Sequence, residues 1–187
     1  MKTKNILIAF AVTALVQLFV PLKMIYDSEI TAREGIEYRF KARPVDPNDP
    51  FRGKYITLSF DMEDLQTKDT TWASGETIYI SLVNDKDGFA IAKNTSREKP
   101  ETSGDYISAK VVYLRENGKI SVELPFDRYY MEEGKAPDAE TAYAEYVNRK
   151  DYKPAYGLVA IKDGNAVLKD VIIDGIPIKD YVVKNRK

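Results

Sequence analysis

Residues 46–60 read DPNDPFRGKYITLSF and crowd charge, oxygen ligands and stiff backbone just ahead of an alternating strand. Asp46, Asn48 and Asp49 offer clustered oxygens, and Asp85-x-Asp87-Gly88 offers a second set, which is the chemistry that calcium uses. Neither run continues to the bidentate Glu of an EF-hand loop, and turn formation accounts for both. No metal or other cofactor is therefore expected. Asp61 with Asp64, and Glu132 with Glu133, are neighbouring carboxylates of the kind used in glycoside hydrolysis. With 29 acidic residues in the chain, such neighbours arise by chance. A Ser nucleophile with a Lys base is the remaining catalytic pairing. Lys54 and Ser59 stand five apart on one strand and so point to opposite faces. Ser28, in DSEI, has no base near it in sequence.

Composition removes other chemistry. The chain has no His and no Cys. It cannot build a thiol nucleophile, a Ser-His-Asp triad, or a zinc or haem site ligated by His or Cys. Its 28 basic and 29 acidic residues leave a net charge of −1. That balance is no footprint for nucleic acid. Thirteen Tyr against one Trp suit half-buried pleated faces, and they also suit a Tyr-lined binding surface.

The elements that must position these residues begin with an anchor. Residues 5–22, NILIAFAVTALVQLFVPL, hold no charged side chain and would make a helix about 27 Å long. That length approaches the hydrocarbon thickness of a bilayer. Lys2 and Lys4 precede the run, which predicts an N-terminus inside the cell and the remainder outside. The expected division is a cytoplasmic tail over 1–4, a transmembrane signal anchor over 5–25, a helical stalk over 26–34 and an extracytoplasmic domain over 35–187. The rival for the anchor is a cleaved signal peptide. Pro21 is placed to kink or end the first helix, and Gly35 stands where a helix C-cap is expected.

From Gly35 onward the period becomes two. IEYRFKAR, KYITLSFD, ETIYISLV, FAIAKN, DYISAKVVYL, KISVEL, YGLVAIK and NAVLKDVII read as strands. Tight turns at NDKDG, RENG and two DG steps join several of them. MEDLQTKDTTWASG reads as a loop. PFDRYYMEEGKAPDAETAYAEYVNRK is the one helical interlude, with a helix over Ala136 to Arg149. The expected fold is mostly β: an antiparallel sandwich or barrel-like domain with one short helix. The helices that parallel strands would need between them are missing.

Within that frame, 44–60 reads as a rigid corner. Pro44, Pro47 and Pro50 restrict the backbone, and Gly53 permits a close approach as the strand begins. The same rigidity would hold Asp46, Asp49 and Arg52 as a polar ledge for binding. Arg52 and Arg128 are the expected recognition cations, since a guanidinium clamps a carboxylate or phosphate through two donors. An ion pair to Asp46, Asp49 or Glu132 is the plainer role for either.

The stretch resembles the signature of the GDYXXLXY family. Gly53, Tyr55 and Leu58 match it, while Lys54 stands where the family has Asp and Phe60 where it has the final Tyr. The lead-in PVDPNDPFRG and an N-terminal hydrophobic span are also similar. Arg128-Tyr129-Tyr130, followed by Glu133-Gly134, resembles a second family block, and YGLVAIKDGNAVLKDVIIDG resembles its C-terminal part. The resemblance implies a membrane-anchored protein and carries no reaction with it.

Taken together, the sequence points to a non-catalytic binding or assembly module at the cytoplasmic (inner) membrane. Its expected partner is another membrane or envelope protein, met through Asp46, Asp49, Arg52, Gly53, Tyr55, Arg128 and Tyr130. Thr13 and Gln17 would let the anchor pack on another helix. The alternative is a His-independent hydrolase using Ser/Lys or paired carboxylates.

Overall fold

The apolar run and the segment after it form one helix, α1 (Thr3–Glu34), in this computed structural model. The structure describes residues 3–43, 55–67, 69–101, 105–115, 118–132, 135–147 and 153–185. An 18-residue window of α1 has a mean hydropathy of 2.1 and none of it is buried. A core helix of a water-soluble domain would hide such a surface, so α1 is long and apolar enough to cross a membrane once.

The stalk expected over 26–34 is the last turns of this same helix, and Pro21 lies inside it. Proline there removes one main-chain donor, yet the turns beyond are well supported. Lys23 pairs with Asp27 and Arg33 approaches Glu29, both at the i,i+4 spacing that favours helix. The far end is docked on the domain. Thr31 is buried, and its hydroxyl donates to the Asp27 carbonyl at 2.8 Å. Glu34 is paired with Lys162, which holds its carboxyl below the usual range.

Gly35 N–H donates to the Thr31 carbonyl at 2.9 Å and closes the helix. The position needs glycine for space: a Cβ there would lie 2.4 Å from that oxygen and 2.9 Å from Ile161 N.

Twelve strands follow among the described residues. They are β1 (Ile36–Arg43), β2 (Tyr55–Thr57), β3 (Ser59–Phe60), β4 (Asp64–Gln66), β5 (Thr77–Asn84), β6 (Ala90–Ser96), β7 (Tyr106–Leu114), β8 (Lys119–Glu123), β9 (Arg128–Tyr130), β10 (Tyr156–Lys162), β11 (Asn165–Ile173) and β12 (Ile176–Pro177). One five-stranded sheet has the order β12-β11-β10-β1-β3, another β4-β8-β7-β5-β6, and β2 pairs with β9 in a separate ribbon. The ladders are antiparallel. Single parallel bridges, Arg39 to Phe89 and Ile107 to Gly164, link the two large sheets. The result is the expected antiparallel, barrel-like domain, nearly closed.

Alternation builds the core. In β1, Tyr38 and Phe40 are buried while Glu37, Arg39 and Lys41 face outward or lie at the surface. Phe40, Phe60 and Phe126 meet edge to face at centroid distances of 4.8 to 6.1 Å, an arrangement favoured by the ring quadrupoles. Ile56, Ile78, Ile80, Ile107, Ile120 and Ile173 are fully buried around them. The two DG steps turn as their sequence requires. Asp163 and Gly164, and Asp174 and Gly175, all have positive φ, the geometry of the two-residue hairpin turns that Asp-Gly favours.

The structure departs from the sequence expectations in four places. The single strand expected over KYITLSFD divides into β2 and β3, which join different sheets. The supposed loop after Phe60 contains a 3₁₀ turn at Asp61–Glu63 and the short strand β4. The expected helical interlude opens with strand β9 before its helix, α2 (Ala136–Val147). A second short helix, α3 (Ile178–Asn185), follows β12. Three-residue strands are too short to show a period, and α3 gains its stability from burying Ile178 and Val182 one turn apart. Tyr146 of α2 meets Tyr181 of α3 at 6.2 Å between ring centroids.

Candidate functional site

The β2–β9 ribbon brings two separate sequence blocks into register. Tyr55 faces Tyr130, Ile56 faces Tyr129 and Thr57 faces Arg128. Directly opposed residues of an antiparallel pair share a face. The inner face carries Ile56, fully buried, and Tyr129, whose hydroxyl donates to Asp170 Oδ1 at 2.9 Å. Burial, and then that bond to a carboxylate, push the Tyr129 phenol well above its ordinary range.

The outer face carries Tyr55, Arg128 and Tyr130. The two tyrosine rings lie 5.5 Å apart, and the Arg128 guanidinium sits 5.2 Å from the Tyr55 ring centroid. Tyr130 is 66% exposed, an unusual position for so large an aromatic side chain. Among the described residues, the carboxylate oxygen nearest Arg128 is Asp127 Oδ1 at 3.9 Å, at the limit of an ion pair. Glu132, an expected partner, pairs instead with Lys135 at 2.9 Å. The cluster thus presents an exposed phenol, a half-buried one and a cation at the surface. Such a surface can stack on an apolar or aromatic group while clamping an anionic one.

The motif strand that carries Tyr55 is fixed from below. Leu58 N–H donates to the Asp127 carbonyl at 2.8 Å, which extends the ribbon, and Leu58 and Phe60 are both in the core. Ser59 points the other way, into an ionic network. Its hydroxyl donates to Glu63 Oε2 at 2.7 Å and accepts from Arg43 Nε. Arg43 also donates to Glu63 and Asp64, each at 2.8 Å. Asp64 Oδ1 lies 3.3 Å from Arg115, at ion-pair distance but without hydrogen-bond alignment. The Arg43 bond, ahead of the cost of burial, holds the Asp64 carboxyl below its ordinary range.

These contacts describe structural partners for the catalytic candidates. Ser59 sits between an arginine and a carboxylate, Asp61 lies 3.6 Å from Lys41, and Asp64 is held by Arg43. Asp85 is a turn residue, its Oδ1 accepting the amides of Asp87 and Phe89 at 2.9 Å. Of the residues singled out in sequence, Tyr55, Arg128 and Tyr130 are brought together. Asp46, Asp49, Arg52 and Gly53, with Asn48, Lys54 and Glu133, lie outside the described residues.

Sequence reasoning missed Arg43 and Trp72. Arg43 ends a predicted strand, and only its neighbours in space give it meaning. Trp72, the single tryptophan of the chain, is 7% exposed beneath the Arg97 guanidinium, 4.1 Å from its ring centroid. A lone Trp in an otherwise polar stretch was the available signal.

A search of curated proteins and a search of solved structures returned no match. A family model described as GDYXXLXY protein matches residues 17–171, from inside α1 to within β11. The matched span takes in both strands of the ribbon and the core residues that seat it, so the chain belongs to the GDYXXLXY family.

Proposed function

We propose that the chain is a non-catalytic binding module, held by α1 at the outer face of the cytoplasmic membrane, with the β2–β9 ribbon as its recognition surface. The observation that carries this reading is the Tyr55, Arg128 and Tyr130 cluster: aromatic and cationic, with Arg128 and Tyr130 exposed and Tyr55 half-buried, and seated on a buried inner face. Aromatic residues and Arg are the types that dominate binding energy at protein interfaces. The basic residues Lys2 and Lys4 ahead of the apolar run support an N-terminus inside the cell. Docking of α1 on the domain supports a partner close to the membrane. The twelve residues from Lys23 to Glu34 span only about 18 Å of helix; Glu34 pairs with Lys162 of β10 and Gly35 lies against the Ile161 backbone, while Thr31 is buried at the helix end. The fitting partner is a membrane or envelope protein that offers Arg128 a carboxylate or phosphate beside an apolar surface. The test is cross-linking in intact membranes followed by mass spectrometry, run on the natural chain beside Arg128→Ala and Tyr130→Ala. One reproducible partner, lost in variants that keep their melting temperature, is the expected result. An unchanged capture pattern in both variants contradicts this surface.

A further inference from the structure

A cleft of about 600 Å³ lies between edge strand β6 and the residues Gln66, Thr67, Asp69 and Trp72. It falls in the size range of small-ligand sites, roughly 300–1,000 Å³. β6 is the last strand of its sheet, and the cleft follows its open side. A further β-strand is a poor occupant. Ser81 pairs with Asn94 and Leu82 with Ala92, so Lys93 is an extra, bulged residue on that edge. Bulges and lysines are the devices that keep edges from adding strands.

The lining has a different chemistry. Gln66 and Asn94 contribute amides, which both donate and accept, and Thr67 and Thr95 contribute hydroxyls. Among the described lining residues the charges cancel, Lys93 and Arg97 against Asp69 and Glu98, so these favour neither an anion nor a cation. Beneath them lies Trp72, nine-tenths buried, whose indole N–H finds no hydrogen-bond partner among the described residues. Buried donors are nearly always satisfied, and an orphan asks for an explanation. Arg97 covers the indole ring, and its guanidinium also bonds Asp69, Thr71 and Glu76, all at the surface. Its side chain is 41% exposed, so it can leave the ring without unpacking the core.

We propose that this cleft binds a neutral saccharide. The amides and hydroxyls bracket sugar hydroxyls, each of which needs both a donor and an acceptor. Arg97 swings aside, the C–H face of one sugar ring takes its place on the indole, and a hydroxyl reaching past the ring edge accepts from Trp72 Nε1, which donates in the indole plane. The site is separate from the β2–β9 ribbon and stands or falls independently of it.

Trp72 is the only tryptophan, so its fluorescence reports on this cleft directly. The full chain, in detergent micelles, is titrated with maltotriose, with tri-N-acetylchitotriose and with a neutral Ser/Thr-rich octapeptide. The proposal expects a saturable change in Trp72 emission with at least one saccharide. It expects affinity to fall tenfold or more in Asn94→Ala and in Gln66→Ala, both exposed positions whose substitution leaves the melting temperature unchanged. No saturable change with either sugar, in protein that melts cooperatively, overturns it. So does a change given by the octapeptide alone, or a sugar response that both variants leave intact.

Discussion

Tyr55 and Tyr130 stand directly opposite each other on the β2–β9 ribbon, ring centroids 5.5 Å apart, although they come from distant parts of the chain. Ile56 and Tyr129 beside them face inward. The six residues of the ribbon, Tyr55 to Thr57 and Arg128 to Tyr130, thus join two distant parts of the domain and carry Tyr130, its most exposed aromatic side chain among the described residues. Stability and recognition should separate cleanly between the two faces.

Substitutions on the outer face are expected to leave the fold alone. Arg128→Ala and Tyr130→Ala, at exposed positions, should change unfolding free energy by no more than about 0.5 kcal/mol. Ile56→Ala, at a fully buried position, should cost about 2–5 kcal/mol through lost burial and the cavity it leaves. Urea unfolding of the three variants checks this.

Restoring the family's final tyrosine should harm this chain. Phe60 is fully buried against Phe40 and Phe126, and its ring tip lies about 3 Å from where a Cβ on Gly157 would stand. Phe60→Tyr adds a hydroxyl among apolar rings, and an unsatisfied buried hydroxyl costs about 1–3 kcal/mol. A melting temperature at or above that of the natural chain would mean that the hydroxyl finds a partner.

The junction of helix and domain is expected to be intolerant. Gly35→Ala places a methyl 2.4 Å from the Thr31 carbonyl and 2.9 Å from Ile161 N. Both are main-chain atoms and cannot swing away, so a cost of about 1–3 kcal/mol is expected. Hydrogen exchange should show the loss first in the last turn of α1 and in β10.

Stability should fall at both ends of the pH scale, for different reasons. The Asp64 carboxyl is lowered in the folded protein, chiefly by its bond from Arg43. The unfolded chain therefore holds the proton more tightly, and the stability this group lends is complete above about pH 4 and lost as pH falls below it. Tyr38 behaves oppositely. Burial, then its bond to Asp105, pushes its phenol up to about 12. Its contribution is complete below about pH 10 and lost as pH rises through 12. Arg43→Met should flatten the acid limb, and Tyr38→Phe should flatten the alkaline one, in urea melts across pH.

Much of this architecture was legible because it is local. The alternation of IEYRFKAR and YGLVAIK, the Asp-Gly turns and the uncharged run of α1 all express themselves within a dozen residues. The ribbon was not legible. Tyr55, Arg128 and Tyr130 could each be singled out, but their meeting depends on a long-range pairing of two three-residue strands. Such strands carry no period of their own, and β9 read as the approach to a helix. The Arg43, Glu63 and Asp64 network is likewise a product of β1 lying beside β3. Polar residues at half-buried strand ends look the same in sequence whether paired or solvated.

The most direct test of the binding surface is site-specific photo-cross-linking in living cells. A photoreactive residue replaces Tyr130 on the ribbon in one version of the chain, and Val112, exposed on β7 of the large sheet, in another. The account predicts one discrete membrane or envelope protein captured from position 130 and not from position 112, with capture abolished by Arg128→Ala. The same species captured equally from both positions, or none from position 130 in a chain that is folded and anchored, would contradict it.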